Sequence, residues 1–101
     1  MHVHAKDTAL DAANIRRNGV LDTKPYDRVL DRAWSFRTVG YGHGEELWRA
    51  LISVLSAVDY ESAISIEHED SLMSVDEGLA KAVRLLAQEI PEEKPGDIWW
   101  A

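Results

Sequence analysis

The sequence predicts an α/β fold in which short strands alternate with helices. Residues 64–66 read ISI, so alternation places the two isoleucines on one face and the serine, with the following Glu67, on the other. Apolar residues recur at helical spacing over residues 47–58 and again over 75–90. Strands that alternate with helices predict parallel pairing. In parallel sheets and barrels, functional residues collect at the C-terminal ends of the strands, where the charged run EHED follows here.

The composition is that of one globular domain. The chain has 101 residues, of which 46% are hydrophobic and 29% are charged, with no cysteine and a formal net charge of −7. The lack of cysteine excludes disulfides and favours a cytoplasmic location. The sequence has no apolar run of membrane-spanning length and no secretory signal pattern, so we expect no membrane partner. The acidic balance argues against a nucleic-acid partner, which rewards clustered Lys and Arg.

The first predicted strand lies at residues 2–7, which read HVHAKD. Alternation puts the valine and the alanine on one face and His2, His4 and Lys6 on the other. Two histidines at i and i+2 are compatible with metal ligation, with proton transfer or with simple exposure. Because the chain opens on a strand whose polar face already looks functional, we expect it to be a piece of a larger protein.

Residues 8–32 lack a clear period, and we expect a long loop there. Asn18-Gly19 is a turn signal, and Lys24 precedes a proline, which disfavours helix at the lysine. Residues 26–33 are compatible with a short helix or an irregular excursion. The whole stretch would suit a segment over an active-site mouth or a surface loop without a role.

A second short strand is predicted at residues 34–39 and is followed by the glycine-rich run GYGHG. Three glycines in five residues indicate that the backbone approaches a ligand or a neighbouring helix closely. The glycine spacing does not match a dinucleotide fingerprint. Glu45 and Glu46 suit the first turn of a helix. The apolar stripe of that helix is predicted to be core, and it consists of Leu47, Trp48, Leu51, Ile52, Leu55 and Val58.

A second helix is predicted to begin at the capping box SVDE of residues 74–77. Pro91 and Pro95 are expected to end it. Trp99 and Trp100 should pack on something, because together they would otherwise expose a large apolar patch. The predicted apolar face of the helix consists of Val75, Leu79, Ala82, Val83, Leu86 and Ile90.

Three motifs in order resemble the sugar phosphate isomerase/epimerase family, the xylose isomerase-like (β/α)₈ barrels. They are HVHAKD at 2–7, FRTVGYGH at 36–43 and SIEHED at 65–70. The resemblance runs over nearly the whole chain, including the Trp-Trp tail. It implies that residues 1–101 form a single partial domain, the C-terminal part of a TIM barrel. That part would contain about three parallel strands, the last three of the barrel, and two main helices.

The resemblance also implies a divalent metal ion at the C-terminal mouth of the barrel. His4 matches the sixth-strand His ligand and Glu67 the eighth-strand Glu ligand, whereas the other two ligands belong to strands absent from this sequence. Mixed His and carboxylate ligation suits Mn, Co, Zn or Mg. The metal would polarise a sugar carbonyl, and Glu67 would move the adjacent proton. His2, Lys6 and Arg37 would bind substrate oxygens, although Arg37 could simply pair with an acid.

The implied activity is isomerase or epimerase chemistry on a sugar or sugar phosphate, and two alternatives stay open. The chain could be a non-catalytic fragment that only assembles with itself or a partner, or part of a polyol dehydratase. His68, Glu69 and Asp70 are expected to support the site rather than to ligate. Unpaired strand edges predict a homo-oligomer, formed as a dimer or by exchange of an element. An incomplete ligand set predicts that the isolated chain is inactive.

Overall fold

The computed structural model describes residues 2–93 and 96, and within them the fold is mixed α/β. The expectations for Pro95, Trp99 and Trp100 therefore lie outside the described residues. In the described part of the chain, no helix is long and apolar enough to cross a membrane. The elements in order are β1 (Val3–Ala5), β2 (Asp7–Leu10), α1 (Ala12–Asn18), a 3-10 helix (Tyr26–Asp31), β3 (Trp34–Arg37), α2 (Glu45–Ala57), β4 (Ile64–Ile66) and α3 (Val75–Glu89).

The parallel pairing predicted from the alternation of strands and helices is found between β1 and β4. His4 opposes Ser65 in this register, and the Glu67 N–H extends the ladder by donating to the Ala5 carbonyl at 2.9 Å. Ala5 of β1 and Ile64 and Ile66 of β4 pack into the main core together with residues of α2 and α3. That core consists of Ala5, Val39, Trp48, Ile52, Ala82 and Leu86, with Leu55, Ile64, Ile66 and Leu85 packed against it.

Two sequence predictions about the middle of the chain are wrong. Residues 34–37 are not a third parallel strand, because β3 pairs antiparallel with β2, with Asp7 opposite Arg37. Residues 8–32 are not one long loop, because they contain most of β2 and the helix α1. The 3-10 helix Tyr26–Asp31 corresponds to the short helix, one of the two possibilities given for residues 26–33. The four residues of β2 read DTAL, a weak strand sequence whose conformation comes from its partner strand rather than from its own propensity.

The apolar faces predicted for the two main helices are buried only in part. Trp48 and Ile52 of α2 are buried, as are Ala82 and Leu86 of α3. Among the described residues, the sheet that packs on these helices has two strands, β1 and β4, and it is too narrow to cover the whole apolar face of either helix. The members of the predicted faces that are exposed are Leu47, Leu51, Val58, Val75, Val83 and Ile90.

The close backbone approach predicted for the glycine-rich loop is found at two glycines. Gly40 adopts a φ of +97°, and a Cβ there would lie 2.7 Å from Leu85 Cδ2 of α3. At Gly42 a Cβ would lie 2.5 Å from the Thr8 carbonyl oxygen. The loop is therefore held against α3 and β2. One of the two hydrogen bonds of the predicted capping box is also found: Ser74 Oγ accepts from the Glu77 N–H at 3.2 Å.

Candidate active site

The face of the β1–β4 sheet that points away from the helices brings together four of the five predicted site residues. His4 Nδ1 lies 2.9 Å from Glu67 Oε1, and Lys6 Nζ lies 3.6 Å from Glu67 Oε2. The His2 ring is 4.8 Å from the His4 ring, and its Nε2 is 2.6 Å from Ser65 Oγ. Alternate residues of two strands in parallel register share a face, which explains the grouping. We call this set, His2, His4, Lys6, Ser65 and Glu67, the polar face.

The groups of the polar face remain accessible. The side chains of His4 and Glu67 are 54% and 43% exposed. Lys6 Nζ also donates to Glu69 Oε1 at 3.0 Å, and this hydrogen bond raises the pKa of Lys6, so the lysine stays cationic. An accessible imidazole and an accessible carboxylate in contact can share a cation, transfer a proton or bind hydroxyl groups.

His4 and Glu67 could supply two ligands of a metal site that combines histidine nitrogen with carboxylate oxygen. One nitrogen and one oxygen donor suit Mn, Co, Zn or Mg. Within residues 2–93 and 96, no three His, Cys, Asp or Glu side chains are arranged to hold a metal ion. Because a catalytic metal usually has at least three protein ligands, the remaining ligands of such a site would have to come from outside this set.

Arg37, the fifth predicted site residue, is engaged in a structural contact. Its Nε donates to Asp70 Oδ2 at 3.0 Å, and its guanidinium lies 5.7 Å from the centre of the Tyr41 ring. Of the two roles left open for Arg37, substrate binding or pairing with an acid, the contacts correspond to the pairing. Alternation along β3 places Arg37 on the opposite side of the strand from Phe36.

Asp70 has the contacts of a supporting residue. Its side chain is fully buried, and Oδ2 accepts from Arg37 and from both the N–H and the hydroxyl of Thr38, at 2.8 and 2.9 Å for the threonine. Oδ1 accepts from the Leu72 N–H at 2.8 Å. Burial acts to raise the pKa of Asp70, but these hydrogen bonds outweigh it and hold the pKa at about 2. This acid ties β3 to the loop after β4.

Asp7 is the important residue that sequence reasoning missed. Only 1% exposed, it accepts from the N–H groups of Gly40, Gly42 and His43 at 2.9 to 3.2 Å and from the Trp48 indole at 3.1 Å. Burial acts to raise its pKa, but the hydrogen bonds from His43, Gly40 and Trp48 lower it further than burial raises it. A signal was present in the sequence, because Asp7 alternates in phase with the inward-facing residues of β1.

Three aromatic rings extend the polar face over the antiparallel β2–β3 pair and the 3-10 helix that precedes β3. The ring of Phe36 stacks with Tyr26 at 6.2 Å and meets Trp34 edge-on at 5.0 Å. Lys6 Nζ lies 3.8 Å from the centre of the Phe36 ring, and the Arg32 guanidinium lies 4.3 Å from the Tyr26 ring. We call Tyr26, Trp34 and Phe36 the aromatic shelf. Lys6 joins the shelf to the polar face.

The comparisons with known proteins give a relative but no activity. No family model matches the sequence. The chain is similar to YfiH of Bacillus subtilis strain 168, a protein described as uncharacterized, with 35% identity over 91 residues. The match covers 90% of this chain but 29% of YfiH, so the chain spans less than a third of the length of this relative.

Proposed function

We propose that this chain forms the C-terminal part of a metal-dependent sugar isomerase or epimerase with a xylose isomerase-like (β/α)₈ barrel. The observation that most strongly supports the proposal is the 2.9 Å contact between His4 Nδ1 and Glu67 Oε1 across two parallel strands. These are the two residues that the sequence resemblance marks as metal ligands. They meet on the side of the sheet away from the helices, which is the interior side in a barrel.

The pairing of β1 with β4 changes which strands of the barrel we assign to this chain. Consecutive strands of a (β/α)₈ barrel are neighbours. On this basis β1, α2, β4 and α3 form two consecutive βα units. The segment from β2 to β3, with α1 and the 3-10 helix between them, is an insertion after the first strand. If β4 is the last strand, β1 is the seventh rather than the sixth. The candidate ligands His4 and Glu67 would then lie on adjacent strands. In that position the proposed metal role of His4 rests on its 2.9 Å contact with Glu67 and not on the match to a sixth-strand ligand.

The chemistry that we propose is proton transfer next to a carbonyl group. A bound divalent metal ion would supply Lewis-acid polarisation of that carbonyl. Glu67 is the proposed proton carrier, because its carboxylate is accessible and lies on the polar face. Lys6 contacts the second carboxylate oxygen and positions it, and His2 adds a ring nitrogen that can hydrogen-bond to substrate hydroxyls. Arg37 is no longer proposed to bind substrate, since Asp70 holds it.

The test of this proposal is a chimaeric protein in which this chain replaces the matching segment of YfiH. Aldoses, ketoses and inositols would be incubated with it and Mn²⁺, and products would be analysed by chromatography and mass spectrometry. We expect metal-dependent interconversion without change of mass, whereas loss of water would indicate a polyol dehydratase. Glu67→Gln should lower the rate about 100-fold or more.

Glu61→Gln is the matched control for this substitution, because Glu61 is an exposed acid just before β4 and outside the polar face. It should keep the full rate. A folded chimaera without metal-dependent turnover, or full activity with Glu67→Gln, would contradict the proposal.

The isolated chain should show no isomerase or epimerase turnover above background, because among residues 2–93 and 96 only two candidate ligands meet on the polar face. This would be measured on the purified chain with the same substrates and metal ions. Robust metal-dependent turnover by the chain alone would contradict the expectation that residues from further strands complete the site.

We also propose that the isolated chain self-associates. The second candidate function is therefore that of a non-catalytic fragment that assembles with itself. The observation that favours it is the exposure of large apolar side chains on one flank of α2, at 44% for Leu51, 60% for Val54 and 68% for Val58. Size exclusion with light scattering should report at least a dimer at micromolar concentration. A cooperatively folding monomer would contradict this proposal.

A further inference from the structure

We infer that the polar face binds an uncharged sugar rather than a phosphate ester. The inference rests on the proposed function and concerns the substrate class of the same site. Barrels of this type commonly hold a substrate phosphate in the loops after their last two strands and at a helix N-terminus. In the position proposed above, those loops are the ones that follow β1 and β4.

The loop after β4 presents negative charge at the mouth of the site. Glu67 and Glu69 follow the strand at alternate positions, and their side chains are 43% and 58% exposed. Asp70 comes next and is kept ionised by its buried hydrogen bonds. A phosphate dianion placed here would meet two accessible carboxylates, and charges of the same sign repel one another even across water.

In the part of the chain that the structure describes, the cations beside the polar face are already paired with protein groups. Lys6 Nζ contacts both Glu67 and Glu69, at 3.6 and 3.0 Å. Arg37 is bound to the buried carboxylate of Asp70. Arg32 is itself buried and donates to backbone carbonyls, among them that of Trp34 at 3.0 Å. Recruiting any of these cations to a phosphate would leave a carboxylate or a carbonyl without its partner.

The N-termini of both long helices carry their own acids. The first turn of α2 contains Glu45 and Glu46, and the first turn of α3 contains Asp76 and Glu77. These carboxylates already complement the positive end of each helix dipole. At α3 the Ser74 hydroxyl also accepts from the Glu77 N–H, whereas α2 has no side-chain cap, so at α2 the opposition to a phosphate comes from the charge of Glu45 and Glu46.

The same groups suit the hydroxyls of a neutral sugar. The carboxylates of Glu67 and Glu69 accept hydrogen bonds from hydroxyl groups, while His2 and Ser65 can donate or accept. The aromatic shelf, in which Tyr26 is 39% exposed, offers an apolar surface to the C–H groups of the ring or chain. A neutral polyol can use all of these contacts without bringing an unpaired charge into the site.

A titration of the isotope-labelled full chain, with Mg²⁺ in the buffer, tests this inference by nuclear magnetic resonance. The probes are D-fructose, D-ribose, the phosphate ester of each, and inorganic phosphate. We expect at least one neutral sugar to shift the Ser65 and Glu67 amides and the His4 ring, with an apparent affinity about tenfold or more above that of its ester. Tighter binding of an ester or of phosphate at these resonances, or no shift with either neutral sugar, would overturn the inference.

Charge reversal gives the second arm of the experiment. Glu69→Lys should strengthen phosphate binding at these resonances by about tenfold, whereas Glu61→Lys makes the same change in net charge away from the site and should leave it unchanged. Equal effects of the two substitutions would overturn the inference, because net charge alone would then govern binding. These titrations measure binding and require no turnover. A failure of this inference can therefore be distinguished from a failure of the proposed function, which would appear as a lack of turnover in the chimaera.

Discussion

Two carboxylates three residues apart, Glu67 and Asp70, have opposite environments. The Glu67 side chain is 43% exposed and contacts one imidazole and one ammonium group. The Asp70 side chain is fully buried and accepts four hydrogen bonds from Arg37, Thr38 and Leu72. Glu67 on the polar face thus remains accessible to a ligand, whereas Asp70 already accepts hydrogen bonds from protein groups on both of its oxygens. Exposure and donor count, rather than charge, separate candidate chemistry from support.

The largest effect expected from this contrast is at Asp7, the anchor of the glycine-rich loop. Asp7→Asn replaces a buried charged acceptor by an amide that faces several N–H donors. We expect the free energy of unfolding to fall by about 3 kcal/mol or more, measured by urea denaturation. Asp31→Asn, at a side chain that is 56% exposed, is the control and should cost less than about 1 kcal/mol. A loss at Asp7 as small as that at Asp31 would show that the anchor is not structural.

The second largest loss of stability is expected from added bulk at Gly78 of α3, which packs against the loop after β4. A Cβ at Gly78 would run into the His68 ring, so Gly78→Ala must displace the imidazole. We expect it to cost about 2 kcal/mol of the free energy of unfolding. Gly44→Ser is the control, since nothing lies within 4 Å of a Cβ there and serine is a good helix N-cap. Equal stability of the two variants would contradict the close packing of His68 on α3.

Acid should weaken the fold through Asp70. Its pKa is about 2 in the folded chain against 3.8 as the ordinary value, so the unfolded chain binds a proton first as the pH falls. The stabilisation is fully present above about pH 4 and is lost as the pH falls through about 2. It amounts to about 2 kcal/mol.

Denaturation of the wild type and of Asp70→Asn at a series of pH values measures this term. The difference in their free energies of unfolding should shrink as the pH drops from 4 to 2. A difference that stays constant across this range would contradict the assigned role of Asp70.

The smallest effect on stability is expected at the polar face. His4→Ala and Glu67→Gln remove partly exposed contacts, so each should change the free energy of unfolding by less than about 1 kcal/mol. Urea denaturation beside Asp7→Asn checks this directly. A loss comparable to that of Asp7→Asn would mean that the polar face is a structural element.

The sequence predicts those parts of the fold whose pattern is local. Alternation in residues 2–6 and 64–67 is enough to place His4 and Glu67 on the same face, and the parallel register then brings them into contact. The capping box at Ser74 is likewise a local signal. The antiparallel pairing of β2 with β3 cannot be predicted from local patterns, because β2 is short and gains its conformation from pairing with residues 34–37.

The roles of individual charged residues were harder to predict for a similar reason. Arg37 and Asp70 lie 33 positions apart, and their pairing depends on how the loop after β4 meets β3. Asp7 is one of several polar residues in the first motif, and its phase with Val3 and Ala5 is the one local sign that it faces inward. Asp7 and Asp70 can be buried because residues more than 30 positions away in the sequence donate hydrogen bonds to them. The pattern of a single sequence does not show which distant residues will do so.

The most direct test of the central claim, that His4 and Glu67 form a metal-binding pair, is a titration of the labelled chain with Mn²⁺. Paramagnetic broadening should appear first at the His4 ring and at the amides of Ser65 and Glu67. It should be lost in His4→Ala and retained in Glu61→Gln. Broadening centred on another acidic part of the chain, or unchanged in His4→Ala, would contradict the claim.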